Sequence, residues 1–191
     1  MLLDLLYQVM ASPSKAFWVV REKRPLGWAI LTAIFISVVF ALILLPNPPQ
    51  LVEVILSLER GKLSLASVIP IWVIIFLVAL LIQAGFFHMV ALLLRGRGSY
   101  LGMLCGVCFA CFPLVFSAPL ALLRVLLDSL SGHLLYYILS LIFFLWILLL
   151  YVIAIRQNYD FPLKKAVVTC FTPALVVIII PLLVLVISMA F

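Results

Sequence analysis

Charged side chains are scarce in this sequence, and acidic ones are the scarcest. Aspartate and glutamate together number 6 in 191 residues, histidine numbers 2, and charged residues make up 9% of the chain. Hydrophobic residues make up 69%, and the mean hydropathy is +1.45. A water-soluble domain needs a polar surface that this composition cannot supply. The sequence therefore predicts an all-α, polytopic integral membrane protein.

The sequence also lacks the residue patterns that enzymes use. No two carboxylates fall within one apolar segment, and the GRGS turn at 96–99 is too short for a phosphate-binding loop. Cys105, Cys108 and Cys111 form a CxxCxxC pattern, but no histidine or carboxylate flanks it and a cluster wants four ligands. We therefore predict no catalytic residue, no metal site and no cofactor, and interpret these cysteines as small packing residues.

The basic residues lie at the ends of apolar runs, which is typical of membrane anchoring and not of a nucleic-acid surface. With the N-terminus in the cytoplasm, the inner segments carry nine basic residues, and the outer segments carry three, Arg60, Lys62 and Arg124. This asymmetry predicts five membrane spans with the N-terminus inside and the C-terminus outside. The nine inner residues are Lys15, Arg21, Lys23, Arg24, Arg95, Arg97, Arg156, Lys164 and Lys165.

Apolar segments long enough to cross a bilayer define the predicted domain organisation. A cytoplasmic segment at the membrane surface, residues 1–24, precedes a five-span membrane domain, residues 25–191. Ser12 and Pro13 predict an N-cap and a first helical residue, and Phe17 and Trp18 predict a short helix in the headgroup region. A second amphipathic helix is expected on the outer surface at 50–62, and residues 156–165 are expected to form an inner loop. The spans are predicted at about 25–45, 68–94, 100–127, 134–155 and 166–190.

The third span carries a stripe of small residues, Gly98, Gly102, Gly106 and Ala110, at every fourth position. On a helix this spacing forms one face without side-chain bulk, which predicts close packing against another membrane helix. Prolines are expected to break the helices because each removes a backbone donor. The predicted breaks are Pro113 and Pro119 in the third span and Pro173 and Pro181 in the fifth.

Polar groups within the spans are few. Gln83 and His88 interrupt the second span, and each is expected to hydrogen bond to another helix, with Gln83 opposite the Phe109 carbonyl that Pro113 frees. A proton- or metal-binding role for His88 is the alternative. Arg124 and Asp128 lie four residues apart and are expected to form an ion pair at the outer end of the third span.

The order of these elements resembles the Yip1 domain family. The resemblance implies a five-span membrane protein with a cytoplasmic N-terminus. Eukaryotic members of that family bind prenylated Rab GTPases, but they carry a longer N-terminal region with a DLYGP-type motif that this chain lacks, which argues against GTPase binding here and indicates a compact prokaryotic member in the inner membrane. The resemblance rests on Ser12, Pro13, Ala16, Phe17, Gly96, Gly98, Ser99, Tyr100, Pro113, Trp146, Ala154, Ile155, Lys164, Lys165 and Ala166.

Two functions are compatible with these observations. The first is a non-catalytic adaptor or accessory subunit that assembles with other membrane proteins, or with itself, through small-residue packing. The second is a lipid or small-solute pathway lined by proline-broken helices, with Gln83 and His88 as its polar lining. Beyond the lipid bilayer and such membrane proteins, no partner is predicted.

Overall fold

The structure, a computed structural model, describes residues 2–44, 65–120 and 130–190. It confirms the all-α class, since the described residues contain seven α-helices, a short 3₁₀-helix and no strand. The helices are α1 (Leu2–Ala11), α2 (Pro13–Lys23), α3 (Leu26–Leu44), α4 (Leu65–Leu93), α5 (Tyr100–Ala110), α6 (Leu130–Tyr159) and α7 (Leu163–Ala190), and the 3₁₀-helix η1 is Phe112–Phe116.

Helix α5 occupies the centre of the bundle. It packs against α1, α2, α3, α4 and α6, while α7 packs on the outside against α4 and α6. Every residue from Gly102 to Ala110 is buried. The other long helices keep apolar faces exposed, for example Ile74 and Met89 on α4 and Leu141 on α6. A buried central helix with apolar neighbours that are exposed outward is the arrangement expected of a bundle surrounded by lipid.

Among the residues that the structure describes, three helical stretches are long and apolar enough to cross a membrane, namely Ile69–Leu93, Tyr100–Leu120 and Gly132–Tyr159. Two shorter apolar helices, Leu2–Ala11 and Leu26–Leu42, accompany them within the described residues. The five-span count and the orientation of the chain stay predictions. The amphipathic helix expected at 50–62 and the end of the third span, 121–127, lie outside the described residues.

The N-terminal helices pack onto the bundle and do not lie apart from it. Ser12 and Pro13 begin α2 as predicted, with Ser12 at the N-cap and Pro13 in the first turn. Phe17 and Val20 are nevertheless buried, because α2 packs against α5 and α6. Only Trp18 of the predicted aromatic pair is exposed. The short helix predicted here is present, and its location in the headgroup region stays a prediction.

The four prolines at which helix breaks were predicted differ from one another in the structure. Regular α-helix ends at Ala110, and Pro113 lies within η1, so the third span changes helix type where a break was predicted. Helix resumes at 117–120, which includes Pro119. By contrast, α7 continues across Pro173 and Pro181, where interruptions were also predicted. A proline removes one donor, and continued helix still satisfies the other backbone groups in an apolar environment.

Helix α6 runs further than the sequence predicted. The expected span ended at Ile155 and the expected inner loop began at Arg156, but the helix continues to Tyr159 and the turn to α7 is short. Asn158 and Tyr159 are both buried. Polar residues that bond to neighbouring helices can remain helical, which explains the correction.

Candidate functional site

One end of the bundle brings together two chain turns and helix α2, and we call it the turn end. It contains the start of α5, the end of α6 with the turn to α7, and the docked helix α2. The Asn158 Nδ2 amide donates to the Ser99 carbonyl at 3.0 Å, and Lys165 Nζ donates to the Leu94 carbonyl at 3.2 Å. These bonds join the turn between α4 and α5 to the turn between α6 and α7.

Local sequence explains why α5 starts here. Ser99 has extended backbone, and its hydroxyl accepts a hydrogen bond from the Gly102 amide at 3.1 Å, which is an N-cap. On the preceding side, Arg95 closes α4 with a φ of 62°, and the Gly96 amide donates to the Ala91 carbonyl at 2.8 Å. A left-handed residue followed by a hydrogen bond from the next amide to the carbonyl five residues earlier is a Schellman-type helix end.

The predicted small-residue stripe packs against α6 of the same chain, although Gly98 lies in the turn before α5 and only the other three members are helical. A Cβ atom added to Gly98 would lie 2.4 Å from the Asn158 carbonyl oxygen, and one added to Gly102 would lie 2.3 Å from Asn158 Oδ1. A Cβ on Gly106 would lie 3.2 Å from the Ala154 Cβ. Ala110, the last member, is fully buried. Since the stripe is occupied within the chain, a separate protein has no access to it.

His88 meets a tyrosine on α6. Its Nδ1 atom lies 2.7 Å from the Tyr159 hydroxyl oxygen, which is hydrogen-bonding distance. The Tyr100 ring approaches the imidazole edge-on, with centroids 5.8 Å apart. An aromatic enclosure and a neutral hydroxyl partner are what a structural histidine between helices requires. A functional role for His88 stays a prediction.

Gln83 meets a different partner from the one predicted. The Tyr151 hydroxyl lies 3.5 Å from Gln83 Oε1 and 2.9 Å from Cys111 Sγ, so these three side chains connect α4, α6 and the end of α5. The Phe87 ring packs edge-on against Tyr151 at a centroid distance of 5.7 Å. The sequence prediction paired Gln83 with the Phe109 carbonyl because it took no account of side chains on α6.

An ion pair fastens α2 to the turn end. Both terminal nitrogens of Arg21 contact the Asp160 carboxylate, and Arg21 also donates to the Gln157 carbonyl at 3.0 Å. Hydrogen bonding to Arg21 lowers the pKa of the Asp160 carboxyl. Asp160 has a φ of 53°, a left-handed conformation that Asp and Asn tolerate better than most residues.

We expect Asp160→Asn to lower the stability of the protein by less than about 1 kcal/mol at neutral pH, because the pair is partly exposed and screened by solvent. Asn keeps the left-handed conformation, so the substitution removes the charge and one of the two oxygens that accept from Arg21. Since the folded-state pKa of Asp160 is lowered, its stabilising contribution is present above the ordinary pKa of about 4 and is lost as the pH falls further.

Thermal unfolding in detergent between pH 7 and pH 3 tests this. The difference in melting temperature between wild type and Asp160→Asn should shrink towards zero as the pH falls below about 4. A difference that stays constant over the whole range would show that the charge of Asp160 does not stabilise the fold.

The remaining predicted groups are the four cysteines and the Arg124 and Asp128 pair. All four cysteines are free and buried. No group of three or more potential metal-ligating side chains occurs among residues 2–44, 65–120 and 130–190. The Arg124 and Asp128 pair lies outside the described residues.

Three residues that matter to the packing were missed from the sequence. Asn158 and Tyr159 belong to a polar RQNYDF stretch that is typical of a loop, and Tyr151 was taken for a residue of the aromatic belt. A useful signal existed for Asn158, because it lies four residues after Ala154 and so shares its helix face. That face is the one that meets the small-residue stripe of α5.

Comparison with known proteins gives a match to a protein family. The model of the family described as the Yip1 domain matches residues 7–185, which is nearly the whole chain. No curated protein and no solved structure matches the sequence.

Proposed function

Because the chain belongs to the Yip1 domain family and is an integral membrane protein, we propose that it is a non-catalytic accessory subunit that binds other membrane helices. The small-residue stripe of α5 is occupied, so the proposed contact uses another surface. We place it on the outward face of α4 around Gly85. We further propose five spans, with the turn end in the cytoplasm.

The observation that carries the proposal is the open position of Gly85. A Cβ added there would have nothing within 4 Å, in contrast to Gly98 or Gly102. Glycine is unfavourable within a helix, and here no neighbour in the described part of the chain requires it. Large apolar side chains surround the position, with Leu81, Ile82 and Met89 between 45% and 60% exposed.

A glycine between large exposed side chains forms a notch at membrane depth. Such a notch lets the backbone of another helix approach closely and gain dispersion contacts that lipid tails do not supply. The partner is either a second copy of this chain or a different membrane protein. The proposed contact would thus need no buried charge, which agrees with the composition of α4.

We expect Gly85→Leu to fold normally and to lose its membrane partner. The new side chain enters open space within the monomer but fills the notch, so the affinity for a partner helix should fall by at least about tenfold. The measurement is native mass spectrometry after gentle extraction from the host membrane. Gly27→Leu is the matched control, because Gly27 is equally open but belongs to a different helix, α3.

The outcomes separate this proposal from its alternatives. A stoichiometric partner present with wild type and Gly27→Leu, but absent with Gly85→Leu, supports the α4 contact. Recovery of wild type alone, as a monomer, contradicts the accessory role. Gly106→Leu is unsuitable as a test because its side chain would strike Ala154 and disturb the fold itself.

A lipid or small-solute pathway is the second candidate, and one cavity favours it. A space of about 200 Å³ lies where α5 gives way to η1, between Phe40, Pro113 and Phe144. Ser117 and Ser140 add hydroxyl groups to this apolar lining. If wild type is recovered alone and retains a defined lipid, lipid transfer between liposomes becomes the deciding assay.

A further inference from the structure

A cavity between the N-terminal helices and the start of α3 has the features of a site for a phospholipid headgroup. Its volume is about 230 Å³, and its walls come from α1, α2 and the first turn of α3. It is separate from the Gly85 face and from the cavity at η1, which have other linings. Its position is set by the chain, because α2 ends at Lys23 and the apolar helix α3 begins at Leu26.

One side of this cavity is cationic. Lys23 lines it, and the Lys23 ammonium makes no hydrogen bond or ion pair within residues 2–44, 65–120 and 130–190. The nearest other basic residue of α2 is Arg21, and it is already paired with Asp160. Lys23 is therefore a cation whose charge is available to a ligand.

The only acidic wall residue among those that form the cavity is Asp4. Asp4 is already engaged in an interaction within the chain. Gln8 contributes an uncharged amide to the same wall. The charge that remains for a ligand is the positive charge of Lys23.

The other side of the cavity is apolar. Leu2, Leu5 and Trp28 line it, and 41% of the Trp28 surface is exposed. Tryptophan at the first turn of a membrane helix lies at the level of the lipid headgroups. A cation beside an apolar wall at this depth matches a ligand with an anionic head and hydrocarbon chains.

We propose that this cavity binds the phosphate headgroup of an anionic phospholipid, with Lys23 on the phosphate and the acyl chains running along Trp28. At about 30 Å³ per water-sized group, the cavity holds a phosphate with its ester oxygens but not the chains, which must lie outside against α3. The neighbouring open groove, lined by Lys15 and Trp18, adjoins this cavity through Gln8 and Val19 but lacks the wall from α3.

The test uses the full chain, delipidated in detergent and titrated with dioleoylphosphatidylglycerol or dioleoylphosphatidylcholine, with lipid adducts counted by native mass spectrometry. Wild type should bind the first phosphatidylglycerol more tightly than phosphatidylcholine. Lys23→Gln should lower the affinity for phosphatidylglycerol by about fivefold, the effect of one lysine near a membrane surface, and Lys23→Arg should retain it.

Lys15→Gln is the matched control, since it removes one charge from the same helix but outside this cavity. It should leave the affinity for phosphatidylglycerol unchanged. Equal losses in Lys15→Gln and Lys23→Gln would mean general attraction to a basic surface and would overturn the proposal. So would equal binding of the two lipids by wild type, or binding of free sn-glycerol 3-phosphate as tightly as of the lipid.

Discussion

Gly98→Ala is expected to lower the free energy of unfolding by about 3 kcal/mol, at the upper end of the usual cost of overpacking. The added Cβ would lie 2.4 Å from the Asn158 carbonyl oxygen and 2.5 Å from a ring carbon of Tyr159. A backbone atom cannot turn away as a flexible side chain can. The turn before α5 and the end of α6 must therefore separate, and separation also weakens the bond between Asn158 and Ser99.

Unfolding in mixed micelles of mild detergent and sodium dodecyl sulfate measures this effect. Gly85→Ala is the matched control, because it adds the same methyl group where nothing lies within 4 Å. That control should be neutral or more stable by up to about 1 kcal/mol, since alanine is the better helix former. If the two variants were equally stable, the close approach of α5 and α6 described above would be wrong.

Asn158→Ala is expected to cost about 2 kcal/mol, through the lost hydrogen bond to Ser99 and the cavity left behind. The Ser99 carbonyl still accepts from the Met103 amide at 3.0 Å, so it is not left without a partner and the loss stays moderate. Gly102→Ala alone should cost a similar amount, about 2 kcal/mol, because its Cβ would lie 2.3 Å from Asn158 Oδ1.

The double variant that combines Gly102→Ala with Asn158→Ala tests whether these two residues are in contact. The methyl group added by Gly102→Ala clashes with a side-chain atom of Asn158, and Asn158→Ala removes that atom. The double variant should therefore lose about 1–2 kcal/mol less stability than the sum of the two single variants. Gly98→Ala meets the Asn158 backbone and the Tyr159 ring, so Asn158→Ala should not rescue it. Additive costs for Gly102→Ala and Asn158→Ala would contradict the contact between these two residues.

The small-residue stripe shows what sequence periodicity can and cannot predict. Spacing of four residues defines a helix face, and the expectation of close helix packing at Gly98, Gly102 and Gly106 follows from it. Periodicity says nothing of what covers that face. We predicted from the sequence that this face binds other membrane proteins, whereas α6 of the same chain covers it.

The prolines show the limit of local signals in another way. Pro113, Pro173 and Pro181 each remove one backbone donor, so the sequence predicted a break at all three. Only the Pro113 region changes to a 3₁₀-helix, while α7 continues through the other two. Pro113 lies in the first turn of η1, where a backbone donor is not needed, whereas Pro173 and Pro181 lie within α7, so the proline signal alone does not predict the outcome.

The sequence by itself determined the class of protein, the family and the approximate position of the helices. These follow from composition and from the partition of apolar segments out of water, which act within each segment of the chain. Yip1 domain membership, expected from scattered Gly, Pro and aromatic positions, is confirmed by the match over residues 7–185.

Only the tertiary structure decided which groups meet. The ion pair between Arg21 and Asp160 joins residues 139 positions apart, and the Asn158 bond to Ser99 joins residues 59 positions apart. Such pairs depend on the shape of two helix surfaces in contact, and no periodicity within either segment encodes that shape. For the same reason, Gly85 could be distinguished from the buried glycines, and Lys23 from its basic neighbours, only after the helices were packed.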